Sequence, residues 1–165
     1  MNVLLMYEER PQNDIDIRIR KDTDFPPHFH YCLEIIYIFE GTQSFFVENK
    51  EYNIHSGDLL IIFPYQIHGF IKSLNKSILI IVDTNILNEY NIEFENYKPE
   101  TPVIKSDELP TDFKDNILYL YSLKEDSSTY NRAIIKGTIM IIVGKILNTI
   151  KLVENNNSYG DLMRR

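Results

Sequence analysis

The sequence predicts a mainly β domain, a barrel or sandwich of short strands, followed by two C-terminal α-helices. Three observations carry this. Short segments in the first two-thirds of the chain alternate or run apolar at strand length. Turn residues punctuate them at close intervals. The last third switches to an apolar stripe of helical period. The 165 residues fit one domain, or one domain with a helical appendage, and 44% hydrophobic residues suffice for a sizeable core.

Asp14-Ile15-Asp16-Ile17-Arg18-Ile19-Arg20 alternates with period two, as a strand with one buried face does. Pro26-Pro27 biases Phe25 towards extended backbone, and a strand-like run follows from His28 to Phe39. Glu40-Gly41-Thr42 reads as a turn. Ser44–Val47 and Glu51–Ile54 flank a hairpin turn at Glu48-Asn49-Lys50. His55-Ser56-Gly57-Asp58 is a further turn, and Leu59–Phe63, His68–Lys72 and Ser77–Val82 are the remaining strands.

Residues 84–105 read as irregular, limited by Pro99 and Pro102. Phe113–Lys124 predicts a helix capped by Thr111 or Asp112. After a break at Glu125-Asp126-Ser127-Ser128, Tyr130–Leu152 predicts a second, with Ile135, Ile139, Ile142, Ile146, Ile150 and Val153 on one stripe. Ile134, Met140, Ile141, Val143, Leu147 and Leu152 widen that surface, so this helix wants cover on more than one side. Its own barrel and a partner's helix are both open as that cover. The division expected is a barrel over 1–105, a helical segment over 106–154 and a polar linker over 155–165.

A net charge of −7, with 17 scattered Lys and Arg, argues against a nucleic-acid-binding face in these residues. The single Cys32 excludes an intramolecular disulfide and points to a reducing compartment. No apolar run approaches the ~20 residues needed to span a bilayer. A cytoplasmic protein is expected.

His28, His30 and Glu34 share one face of a strand, since residues two apart point the same way. Burying such groups without partners is costly, which points to a polar pocket, and His68 opens another strand that could complete it. Three imidazoles and a carboxylate could hold Zn, Ni, Fe or Mn. Contact with an organic effector, or a satisfied structural cluster, fits the same residues. Cys32 on that face reads as a small buried residue, and His55 as a solvent-exposed turn residue. Tyr37, Phe39, Phe45 and Phe63 could line either pocket or core. No residue is singled out as catalytic.

His28-Phe29-His30, three residues, Glu34, six residues, Gly41 resembles the first motif of the cupins. Gly57-Asp58, Pro64 and His68 resemble the second, with 15 residues between Gly41 and Gly57. Within cupins, Glu34–Gly41 and Gly57–His68 are similar to the sensor domains of AraC-type transcription regulators. Asp22 stands where enzyme-type cupins open the first motif with glycine. Tyr65-Gln66-Ile67 and Lys72 depart from the enzyme-type second motif as well.

The resemblance, over Ile15 to Val82, implies a cupin-type jelly-roll β-barrel that binds a small-molecule effector through His28, His30, Glu34 and His68. It implies a homodimer through the C-terminal helices, with Ile135, Ile139, Ile142, Ile146 and Ile150 in the seam. DNA contact would come only from a C-terminal helix-turn-helix domain, for which these residues offer no candidate. The alternative is a metal-dependent small cupin enzyme, of sugar isomerase or dioxygenase type.

Overall fold

A computed structural model describes residues 5–12 and 14–156 of the chain. The first four residues, and most of the linker expected over 155–165, lie outside the described residues. Eight strands come first: β1 (Met6–Tyr7), β2 (Ile15–Lys21), β3 (Phe25–Phe29), β4 (Leu33–Val47), β5 (Lys50–His55), β6 (Leu59–Ile62), β7 (His68–Ile71) and β8 (Asn75–Val82). A 3₁₀ helix (Thr84–Tyr90), α1 (Asn91–Asn96), β9 (Tyr97–Pro99) and β10 (Val103–Ile104) occupy the stretch read as irregular. Then come α2 (Phe113–Leu123), α3 (Thr129–Thr149) and β11 (Leu152–Glu154).

β4 organises the barrel. Its first half pairs antiparallel with β8 and β6, with Ile35 opposite Ile80 and Ile61. Its second half pairs with β5 and β7, with Phe45 opposite Tyr52 and Phe70. Glu40-Gly41-Thr42, expected as a turn, is instead the corner at which one strand passes from one sheet to the other. The register shifts between Ile38 and Glu40, and Gly41 takes a φ of 78°. A β-carbon at Gly41 would fall 2.0 Å from the Leu74 carbonyl oxygen, so glycine is the residue this corner admits.

Alternate residues of β4 serve two cores. Leu33, Ile35 and Tyr37 join Ile17, Leu59, Ile61, Ile78 and Ile80 under the helices. Ile36, Ile38, Phe45 and Val47 join Leu60, Ile62, Phe70, Leu79 and Ile81 inside the barrel. Of the aromatics left open by the sequence, Tyr37 and Phe63 lie under the helices, with Phe39 packed beside them, and Phe45 lies inside the barrel.

The helices form near their expected bounds. Ser128 caps α3 by accepting from the Asn131 N–H. Asp112 stands at the α2 N-cap without a capping bond, its carboxylate taken by Lys145 at 2.6 Å. α3 ends at Thr149 rather than Leu152, because Ile150 turns extended and β11 then pairs with β9.

One expectation needs correction. Ile135, Ile139, Ile142 and Ile146 pack with α2 against the chain's own sheet, all 8% exposed or less, and Ile150 packs partly against the same cluster. The stripe is satisfied within one chain, and no seam can use it without opening that core.

Candidate functional site

The site forms where β3 and β7 meet inside the barrel. His28 and His68 stand directly opposite each other in that ladder, with ring centroids 4.1 Å apart. His30 lies just beyond β3, and its carbonyl accepts from the Tyr65 N–H. The run read as one strand from His28 to Phe39 is therefore two, broken at His30–Cys32. Glu34 comes from β4, on the face that points into the barrel. The structure brings all four together, buried, with one ligating atom from each within 4.8 Å of the others.

Backbone carbonyls orient the imidazoles. His28 Nδ1 lies 3.0 Å from Pro26 O, His30 Nδ1 3.1 Å from Cys32 O, and His68 Nδ1 2.8 Å from Gln66 O. A carbonyl only accepts, so each Nδ1 carries its proton and donates. Each Nε2 is left to face the cluster, the tautomer that ligates a metal. Glu34 Oε2 lies 3.1 Å from His30 Nε2 and 3.5 Å from His68 Nε2.

Burial alone would raise Glu34, but the hydrogen bond with His30, the approach of His68 Nε2 to 3.5 Å and the electrostatic pull of both rings outweigh it and hold the carboxyl well below its ordinary value. Burial, with repulsion from His68, pulls His28 down to about 4, so it is neutral at pH 7. Glu34 Oε1 and His68 Nε2 are buried without a hydrogen-bond partner among the described residues. Three inward imidazole nitrogens and a carboxylate, with Glu34 Oε1 and His68 Nε2 among their atoms unfilled, suit a divalent cation.

Cys32 is buried in the barrel core, and burial pushes its thiol up to about 12, which leaves it unreactive. His55 stands exposed at the end of β5 beside Asp58.

Beside the cluster lies an open cavity of about 430 Å³, walled by Glu8, Arg10, Arg18, Arg20, His28 and Glu34. Leu79 and Ile81 also line it. The volume lies within the roughly 300–1,000 Å³ of small-molecule sites. Glu8 Oε2 reaches to 3.5 Å from His28 Nε2. Arg10, Arg20 and Glu8 were not singled out from the sequence. For Arg20 the charged alternation of β2 was the available signal, since the apolar residues of that strand lie under the helices and its opposite face meets the cavity; Glu8 and Arg10 precede the strand.

No helix among the described residues is long and apolar enough to cross a membrane. No curated protein sequence matches the chain. Among solved structures, the chain is similar to the EutQ protein of Clostridium difficile, at 18% identity and a TM-score of 0.36, over 42% of this chain and 50% of that one. It is similar to the oxalate decarboxylase of Bacillus subtilis, at 15% identity and a TM-score of 0.37, over 44% and 22%. A cupin protein from Bacteroides fragilis gives 20% identity and a TM-score of 0.36, over 42% and 64%. The chain thus spans half or less of the length of the first two.

The model of the AraC-like ligand binding domain matches residues 17–78, from β2 into β8. The matched stretch holds His28, His30, Glu34 and His68 and the β4 corner. Over residues 17–78 the chain is thus similar to the AraC-like ligand binding domain.

Proposed function

We propose that the chain is the effector-sensing and dimerisation part of an AraC-type transcription regulator. One observation carries the reading. The helices cover the outer face of the sheet, and the barrel interior keeps an open cavity beside the buried His28, His30, Glu34 and His68. A small effector enters there, and DNA is contacted by a separate helix-turn-helix unit. The protein works in the cytoplasm as a homodimer.

The proposed seam is the outer face of the helices, not the buried isoleucine stripe. Tyr130, Ile134 and Ile141 are exposed at helical spacing on α3, and Leu118 and Tyr119 are exposed on α2. Gly137 lies between Ile134 and Ile141, with open space where a side chain would stand.

The donor set supports a second reading, a metal-dependent cupin enzyme in which His28, His30, Glu34 and His68 hold Zn, Ni, Fe or Mn. Calorimetry and thermal melting of protein stripped on a chelating resin separate the two. The sensor reading expects a small organic ligand to bind the stripped protein and raise its melting temperature. Ligand binding and turnover that both require restored metal would overturn it in favour of the enzyme.

A further inference from the structure

The walls of the cavity carry Arg10, Arg18, Arg20 and Lys21 against Glu8, Asp24 and Glu34. Most of these charges already have partners. Arg10 pairs with Glu8 at 2.9 Å and with Asp16 at 3.2 Å, and Arg18 pairs with Asp16 at 2.9 Å. Glu34 is held by His30 and His68. Lys21 is exposed at the end of β2.

Arg20 differs. It is half-buried, and among the described residues it makes no ion pair. Its guanidinium carbon sits 5.2 Å from the centroid of the Phe70 ring, which lies inside the barrel. A cation–π contact of this kind fixes the head group without neutralising it. Burial lowers the Arg20 pKa from its ordinary value, against the opposing pull of Glu34 and Glu8.

We propose that the ligand of this cavity is a small monocarboxylate with an apolar body, and that Arg20 binds its carboxylate. The inference rests on the ligand-binding reading above and gives its chemical class. A guanidinium presents a planar fork that matches a carboxylate in two parallel hydrogen bonds. Phosphate has similar chemistry, but three carboxylates line the same walls, and Arg20 is the half-buried cation there without an ion pair among the described residues, so a single negative charge fits. Leu79, Ile81 and Phe25 line the cavity beside these charges and suit an apolar body. Two buried polar atoms of its walls, Arg10 Nε and Glu34 Oε1, are without hydrogen-bond partners among the described residues. They can take a hydroxyl or carbonyl of the ligand.

The test titrates resin-stripped protein with benzoate, phenylacetate and hexanoate, each beside its neutral amide, and with inorganic phosphate, arabinose and glucose. Calorimetry and thermal melting are read on the wild type, Arg20→Gln and Arg20→Lys. At least one acid should bind and raise the melting temperature, and its amide should bind at least about tenfold more weakly. Arg20→Gln should lose about tenfold or more in affinity for that acid while its ligand-free melting temperature stays near wild type, because no ion pair is broken.

Arg20→Lys keeps the charge without the fork and should fall between, which preserves the test if the glutamine variant folds poorly. Amide binding as tight as the acid's, undiminished binding by Arg20→Gln, a preference for phosphate, or no binding by any of the acids would each overturn the proposal. If arabinose or glucose binds wild type and Arg20→Gln alike, the carboxylate inference falls and the ligand-binding reading stands. If nothing in the set binds, both fall.

Discussion

His30 Nε2 lies 3.1 Å from Glu34 Oε2, with both side chains almost wholly buried. Because His30 Nδ1 already donates to the Cys32 carbonyl, the two facing atoms are both acceptors unless a cation stands between them. A proton shared by the pair would serve as that cation in the absence of metal. A divalent metal at the cluster must displace it. Zinc binding at pH 7.5 should therefore release close to one proton, seen as a calorimetric enthalpy that changes between buffers of different ionisation enthalpy. His30→Ala should abolish that dependence along with most of the affinity. Buffer-independent binding would mean that the pair holds no such proton.

Acid should weaken the fold through His28. The unfolded imidazole takes a proton near pH 6.5, whereas the folded one does so only at about 4. Its contribution is present above the unfolded value and is lost as pH falls from 6.5 to 4, an effect of about 3 kcal/mol. Glu34, depressed in the fold by His30 and His68, adds a further loss only below its own unfolded value. Glu8, His30 and His68, the other neighbours of His28, are the same in both backgrounds. Urea unfolding of wild type and His28→Asn between pH 7 and 4 checks this, the variant showing the shallower decline.

Adjacent isoleucines on α3 should behave oppositely. Ile142 is 1% exposed and packed in the core, whereas Ile141 is 54% exposed. Ile142→Ala should cost about 2–5 kcal/mol, and Ile142→Glu should aggregate or unfold. Ile141→Glu should keep the wild-type circular dichroism spectrum and convert a dimer to monomers in light scattering. A folded Ile142→Glu protein would refute the packing described for α3.

Gly41→Ala should cost at least about 2 kcal/mol, combining strain at a positive φ with the clash against Leu74 O. Asp22, with a φ of 47°, marks the contrasting case. It occupies the place of the glycine in enzyme-type cupins, and its Oδ1 accepts from the Asn75 N–H at 3.0 Å. Aspartate tolerates left-handed backbone. Asp22→Asn should therefore be nearly neutral in thermal melting, and Asp22→Val clearly destabilising.

The four clustered side chains were legible because two close-set motifs name them. The strand parity that first grouped His28, His30 and Glu34 is not what joins them, since the chain bends at His30–Cys32 and Glu34 enters from a second strand. Period-two alternation tells which residues share a face, not which face is inside. On β2 the apolar face is outermost, under the helices, so Arg20 was hidden in a pattern that read as a strand with one buried face. The same limit applied to Ile135–Ile146. Their stripe announced burial, and only the packing of α3 on β2, β4, β6 and β8 reveals against what.

The division of β4 between two cores constrains how this gene can change. Odd residues from Leu33 to Tyr37 belong under the helices, and even ones from Glu34 to Ile38 belong inside the barrel. A one-codon insertion or deletion in that stretch would exchange the sets, driving the Glu34 carboxylate under the helices and a bare isoleucine towards the histidines. Length variation in relatives should accordingly avoid residues 33–38. It should collect where parity can be reset, at the irregular step between Ile38 and Gly41 or in the turn at Glu48-Asn49.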